Sequence, residues 1–179
     1  NTVTGSGVTC IGREAGHYVI GANNTFLGYQ AGFNTTSGTT NIAIGYAALY
    51  GTIAACTGDY NVAIGYKAGE NTTSATGNVL IGREAGADLT TQTSNVMIGE
   101  YAGLSAEGHS CTFIGWGAGH SCHGNDNILI GEQAGYYPAA ITGGANVGIG
   151  NEVLTVLTSG GHNTVVGRIA GNAITEGSQ

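Results

Sequence analysis

The chain has 179 residues, of which 34 are Gly, 41% are hydrophobic and only 8% are charged, and its formal net charge is −7. This composition excludes a disordered linker, which would combine such Gly with low hydrophobicity, and collagen, which needs a strict three-residue period and abundant Pro. Four Lys and Arg residues in total argue against nucleic-acid binding, and no apolar run reaches the roughly 18 to 20 residues that span a bilayer.

One motif, Asn-apolar-apolar-apolar-Gly-x-x-Ala-Gly, repeats from one end of the sequence to the other. Successive copies are 16 to 20 residues apart, which is too short for a helix pair or a four-stranded propeller blade. The residues before the central Gly are rich in β-branched types and flanked by turn residues, which indicates a β-strand in each copy. The central Gly lies at Gly12, Gly28, Gly45, Gly65, Gly82, Gly99, Gly115, Gly131, Gly150 and Gly167.

The repeat predicts an all-β fold with a single domain over residues 1–179, a parallel β-solenoid of about ten coils of 16–20 residues each. Coils stacked at about 4.8 Å would make a rod roughly 45 Å long, with backbone hydrogen bonds along its axis. The Asn that opens most copies can pass side-chain hydrogen bonds from coil to coil. Gly at two corners would supply positive φ angles or close backbone approach, and Ala between them would fit a narrow interior.

The strand residues are numbered here from the opening Asn as position one to the central Gly as position five. Because strand side chains alternate, we expect positions two and four, such as Val62 and Ile64, to form the inner core and position three to face outward. Position three is apolar throughout, which predicts a self-association stripe. The stripe residues are Phe26, Ala43, Ala63, Leu80, Met97, Phe113, Leu129 and Val165, with Cys10 and Gly148 at the same position.

A stripe that repeats with the coil favours a partner with the same repeat, so we expect an identical chain beside it in rotational symmetry. The motif resembles the left-handed parallel β-roll repeats of trimeric autotransporter adhesin heads. It is more similar still to the Gly-rich repeats of phage tail fibres, through the strings at 24–32, 61–69 and 127–135. The resemblance implies a homotrimeric, extracellular, surface-attaching rod. Adhesin-head coils are shorter and lack the Ala-Gly ending, which leaves open the handedness and the choice between a β-roll per chain and a triple β-helix.

Aromatic residues recur near the central Gly and in a variable turn, where they are candidates for binding a surface glycan or host receptor. Three of them fall at one site in successive copies, so they would form a ladder that either offers planar faces to a sugar ring or only stacks on itself. Two longer copies, with insertions at 50–60 and 136–145, could project binding loops or act as spacers. The candidates are Tyr29, Tyr46, Tyr66, Trp116, Tyr136 and Tyr137.

Cys111 and Cys122 belong to one coil, at a separation that would let them face each other across it, so a disulfide is plausible outside the cell. Three histidines, His109, His120 and His123, cluster around them and could hold a soft metal in an oligomer. Their spacing fits no standard zinc pattern, so we predict no metal and no cofactor. Catalytic constellations are absent from the sequence, and we do not expect an enzyme.

These observations predict a structural or adhesive fibre segment that projects from a virion or a cell surface and attaches to a host surface. The start at Asn1, within the repeat and without Met, suggests a segment of a longer fibre protein. The partners expected are copies of the chain and a surface glycan or receptor, without nucleic acid and without membrane insertion. A self-assembling extracellular filament is the alternative, and an ice-binding solenoid is a third reading that the placement of Thr in turns disfavours.

Overall fold

A computed structural model describes residues 3–51, 56–136 and 141–176. These residues contain no helix and form ten parallel strands in a single sheet, in which each strand pairs with the next one along the chain. The strands are β1 (Thr9–Ile11), β2 (Thr25–Leu27), β3 (Ile42–Ile44), β4 (Val62–Ile64), β5 (Val79–Ile81), β6 (Val96–Ile98), β7 (Thr112–Ile114), β8 (Ile128–Ile130), β9 (Val147–Ile149) and β10 (Thr164–Val166). The predicted all-β parallel solenoid is thus confirmed, with about nine turns in which one chain stacks on itself.

The central glycines end the strands, and both predicted reasons for Gly apply to them. Gly28 has a φ of 133°, a conformation that L side chains rarely adopt, and a Cβ there would lie 2.6 Å from the Gly45 carbonyl oxygen of the next coil. Its N–H meanwhile donates to the Ile11 carbonyl of the preceding coil at 2.8 Å. Each coil therefore needs Gly at this corner so that the neighbouring backbone can approach it.

Position three of the strand faces the interior, so the expected outward stripe is wrong. Phe26, Ala43, Ala63, Leu80, Met97, Phe113 and Leu129 are all buried, and Cys10 and Val165, in the two end coils, are partly buried and pack against the same core. Gly148 lies among Leu129, Val153 and Leu154. The expected core positions two and four point outward instead, as the partly exposed Val62 and Ile64 show.

The opening Asn accounts for this inverted alternation. Its side chain is itself buried, at 0% exposure for Asn24, and residues two apart on a strand point to the same side. Position three must then also point inward. A one-residue error of phase exchanges the two faces of a strand. The prediction was wrong in this way because it assigned the β-branched residues at positions two and four to the core.

The predicted Asn ladder is confirmed. The Oδ1 of Asn24 accepts the backbone N–H of Asn41 at 2.8 Å, and the Oδ1 of Asn41 accepts that of Asn61 at 2.9 Å. Most of the Nδ2 groups donate to a backbone carbonyl near the end of a coil, as Asn41 does to Gly58 at 2.8 Å. Because these buried amides have partners on both sides, they can line the core without the cost of unsatisfied polar groups.

Two further inner columns complete the core opposite the strands. The Ala column was predicted and comprises Ala15, Ala31, Ala48, Ala68, Ala85, Ala102, Ala118 and Ala134, with Val153 in its ninth place. The other column lies in the variable turn and comprises Val19, Thr35, Cys56, Thr72, Leu89, Ala106, Cys122, Ile141 and Leu157. All of these side chains are buried, so the interior is filled by side chains from three directions and has the close packing of an ordinary core.

Candidate functional site

The outward side of the sheet is an apolar surface made of positions two and four, called here the outer face. Parallel pairing keeps these positions in register, so that Ile42, Val62 and Val79 form one row and Ile44, Ile64 and Ile81 another. Much of the face is open to solvent, with Ile42 38% exposed and Leu27 43% exposed. Contiguous exposed apolar surface is typical of interaction sites, so the outer face is a candidate site.

The residues of the outer face are Thr9, Ile11, Thr25, Leu27, Ile42, Ile44, Val62, Ile64, Val79, Ile81, Val96, Ile98, Thr112, Ile114, Ile128, Ile130, Val147, Ile149, Thr164 and Val166. No charged residue occurs among them. The outside of the coil thus carries an apolar face at positions two and four, and not at position three as predicted.

Tyr29, Tyr46 and Tyr66 stack as predicted, with ring centroids 5.2 Å apart at both steps. Cations lie over the two end rings, Arg13 at 5.7 Å from Tyr29 and Lys67 at 5.7 Å from Tyr66. Both faces of Tyr46 are occupied by its neighbours, so this ring offers only its edge and hydroxyl. The three rings therefore stack on one another and do not offer free planar faces to a sugar ring, which was the simpler of the two predicted possibilities.

Trp116 begins a second aromatic group on the same side of the rod. Its ring stacks on Tyr136 with centroids 5.8 Å apart, and Tyr101 meets it edge-on at 6.4 Å. The edge of His120 contacts Tyr136 from another direction. Trp116 is 40% exposed, so the group is open to solvent. The candidate Tyr137 lies outside the described residues.

A third stack, of His17, Phe33 and Tyr50, was not predicted as a site. Its rings are 4.9 and 5.0 Å apart at the two steps. The signal was present in the sequence, since each residue is five positions after a central Gly. The next residue in this column is Glu70, so Tyr50 is the last ring of its stack and has one face that no ring of the described residues covers.

A notch of about 220 Å³ opens beside Tyr50, lined by Gln30, Tyr46, Ala47, Tyr50, Lys67 and Glu70. The notch forms at Ala47 because its side chain is short, whereas Gln30 and Lys67 carry long side chains at the same place in the coils before and after. The charges in the notch are paired, since Lys67 Nζ lies 3.0 Å from Glu70 Oε1. This pairing raises the pKa of Lys67, mainly through the hydrogen bond to Glu70.

Cys111 takes the place of Asn in the ladder and lies beside Cys122, as predicted, but both are free thiols and the expected disulfide is not formed. The Cys111 Sγ donates to the Gly124 carbonyl at 3.3 Å. The Asn amides of other coils donate to the equivalent carbonyls, as Asn41 does to Gly58. A hydrogen bond with Cys122 lowers the pKa of Cys111, and backbone N–H groups such as that of Asn127 contribute to this shift. The same contact, together with burial, raises the pKa of Cys122.

The three histidines are not brought into one site. The Nδ1 of His109 accepts the Thr93 N–H at 3.1 Å, that of His120 contacts the Ser121 hydroxyl at 3.0 Å, and that of His123 lies 3.5 Å from Glu107. Burial lowers the pKa of His120. Over the described ranges, no group of three His, Cys, Asp or Glu side chains is placed to hold a metal ion.

Comparison with known proteins adds no family. No protein-family model, no curated protein and no solved structure matches the chain. Within the part of the chain that the structure describes, no helix is long and apolar enough to cross a membrane.

Proposed function

We propose that the chain is a structural and adhesive segment of an extracellular fibre, on a virion or a cell surface, in which copies of the solenoid associate through the outer face as a homotrimer. The outer face is the observation that carries this proposal. Full burial of one Ile or Val side chain contributes roughly 1.5 to 3 kcal/mol. A partner that covers both rows of the outer face therefore gains a large binding free energy.

The regular spacing of the outer face supports a second copy as the partner. Its side chains recur with every coil, since all ten strands are parallel and in register. A surface with the same repeat can place its rows between these rows along the whole length, which a partner without the repeat cannot do. The number three follows from the resemblance to trimeric fibre repeats.

The mass in solution tests the proposal. We expect light scattering coupled to size exclusion to give about three times the chain mass of 17.8 kDa. The double variant Ile64→Lys with Ile98→Lys places charges on the outer face of β4 and β6 and should give a monomer with an unchanged circular dichroism spectrum. Ser74→Lys, at an exposed turn position away from the sheet, is the matched control and should remain a trimer.

Other masses would contradict the trimer in different ways. A wild-type monomer would contradict the proposed self-association, and long polymers would favour the alternative of an extracellular filament.

One observation supports the ice-binding alternative, because Thr9, Thr25, Thr112 and Thr164 lie on the outer face and not only in turns. It requires a monomer that inhibits ice recrystallisation and loses this effect in the Ile64→Lys and Ile98→Lys variant.

A further inference from the structure

The notch beside Tyr50 combines three properties of a ligand site across three successive coils. It is concave, it has an aromatic wall, and polar groups converge on it from the coils before and after. Gln30 and Lys67 close it along the rod axis, and Ala47 forms its floor. Ala47 is 3% exposed, and it lacks the long side chain that Gln30 and Lys67 carry at the same place in the column.

Tyr50 gives the notch a ring face that the tyrosine ladder lacks. One face of Tyr50 is covered by Phe33, with an interplanar angle of 20°. The next place in the same column is taken by Glu70, which continues the column without a ring. Because Glu70 takes that place, a ring-shaped ligand in the notch would pack on the part of Tyr50 that borders the notch, beside Glu70, and would not extend the stack of rings.

The polar groups of the notch match hydroxyl groups better than charges. Gln30 donates its Nε2 to Glu14 at 2.8 Å, which turns its Oε1 acceptor to other partners. Lys67 and Glu70 neutralise each other and supply a donor and acceptors side by side. The whole chain carries a net charge of −7, which disfavours anions, and the notch has no uncompensated carboxylate to select a cation.

We propose that this notch binds one neutral pyranose unit of a surface glycan, packed on Tyr50 and hydrogen-bonded by Gln30, Lys67 and Glu70. The volume of about 220 Å³ is below the range of drug-sized sites, which fits a single sugar ring. This inference rests on the attachment role proposed above. It names the ligand class and moves the candidate site from the tyrosine ladder to the neighbouring column.

Saturation-transfer NMR on the full chain, with methyl β-glucoside, methyl β-galactoside and N-acetylglucosamine as probes, tests the site. We expect at least one probe to bind saturably at millimolar concentration, as is usual for a small ligand with few contacts. Ala47→Lys should weaken binding at least about tenfold because it fills the notch. This change is compatible with the backbone, since Lys67 holds the same left-handed conformation one coil on, with φ 55° against 52°.

Two further variants separate the notch from the fold. Tyr50→Leu keeps an apolar side chain next to Phe33 and should also weaken binding at least about tenfold. Leu104, three coils on, occupies the same place in the column as Tyr50. Gln133→Lys is the matched control, since it makes a similar change in the Ala47 column five coils away and should leave binding unchanged. Each variant is first checked by thermal unfolding, so that Ala47→Lys still tests the site if Tyr50→Leu fails to fold.

Binding of none of the three probes would overturn the inference, and so would binding that survives both Ala47→Lys and Tyr50→Leu. The mass measurement is made without sugar and fails independently. A trimer that binds no probe would contradict sugar binding at the notch and leave the fibre proposal standing. A monomer that binds a probe through Ala47 and Tyr50 would contradict the trimer and leave sugar binding at the notch standing.

Discussion

The backbone of each coil depends on residues with positive φ at fixed places, and many of them are not Gly. Glu14, Gln30, Lys67 and Glu84 all occupy one such place two residues after the central Gly, with φ between 54° and 59°. For an L residue this conformation costs about 1 to 2 kcal/mol, least for Asn and Asp. Parallel pairing on both sides holds these residues there, as the N–H bond from Gln30 to the Arg13 carbonyl at 3.0 Å shows.

Thr40 is the place where this strain is easiest to relieve. It is an exposed β-branched residue with φ 58°, immediately before the ladder residue Asn41. Asn23 occupies the equivalent place one coil earlier with φ 60°. We expect Thr40→Asn to raise the free energy of unfolding by about 0.5 to 1 kcal/mol, measured by chemical denaturation. The reverse change, Asn23→Thr, should lower it by a similar amount, and equal stabilities would contradict the strain argument.

Cys111 interrupts the Asn ladder, and its thiol takes over part of the amide's role. We expect Cys111→Asn to stabilise the fold by about 1 kcal/mol, since an amide would accept from the Asn127 N–H and donate to the Gly124 carbonyl more strongly than the thiol does. Cys111→Ala should destabilise it by about 1 to 3 kcal/mol because the buried Asn127 N–H loses its acceptor. Thermal unfolding under reducing conditions measures both changes. A stable Cys111→Ala variant would show that the ladder tolerates a gap.

At the scale of the element, the strand shows what the sequence could and could not predict. The repeat made the coil, the Gly corners and the Asn ladder predictable, because each is one residue type at one spacing. The inward direction of position three was not predictable from hydrophobicity alone, since Met97 inside and Val96 and Ile98 outside are all apolar. The decisive signal was the polar Asn95, whose buried amide fixes the phase of the whole strand.

A second pattern within the coil links the strand to the corner that follows it. In most copies a large residue at position three accompanies Gly at the second corner, as Leu80 does with Gly86 and Phe113 with Gly119. The two copies with Leu at this corner have small residues at position three, Ala43 with Leu49 and Gly148 with Leu154. The buried Leu therefore fills from the corner the space that the strand leaves empty.

Exchanging this pair gives a test of the compensation. Leu154→Gly removes a buried side chain and should cost about 2 to 5 kcal/mol. Gly148→Leu should also destabilise, because a Cβ at Gly148 would already lie 3.0 Å from Leu154 Cδ1 and 3.1 Å from Leu129 Cδ2. The double variant recreates the commoner arrangement, and we expect it to recover at least half of the summed loss.

A double-mutant cycle by chemical denaturation measures this coupling, and strictly additive losses would contradict it. The Leu80→Ala and Leu129→Ala pair, which lies three coils apart, is a control that should be additive.

At the scale of the molecule, the candidate surfaces are distributed over the sides of the rod. The sheet side carries the outer face, and the aromatic stacks and the notch lie beyond the central Gly corner. The tyrosine stack could be predicted because its three residues occupy one motif position in successive copies. The notch could not, because it depends on Ala47 being short beside Gln30 and Lys67, and on Tyr50 being the last ring of another column.

The backbone hydrogen bonds between coils run along the axis of the rod, and this has a mechanical consequence for the proposed fibre. A pull at the two ends loads these bonds in series, so a single chain would yield by peeling one coil at a time from an end. Each released coil of about 17 residues would add roughly 50 Å of length, which absorbs work while the remaining coils stay folded. Chains held together across their outer faces would share that load in parallel, which makes association a source of tensile strength.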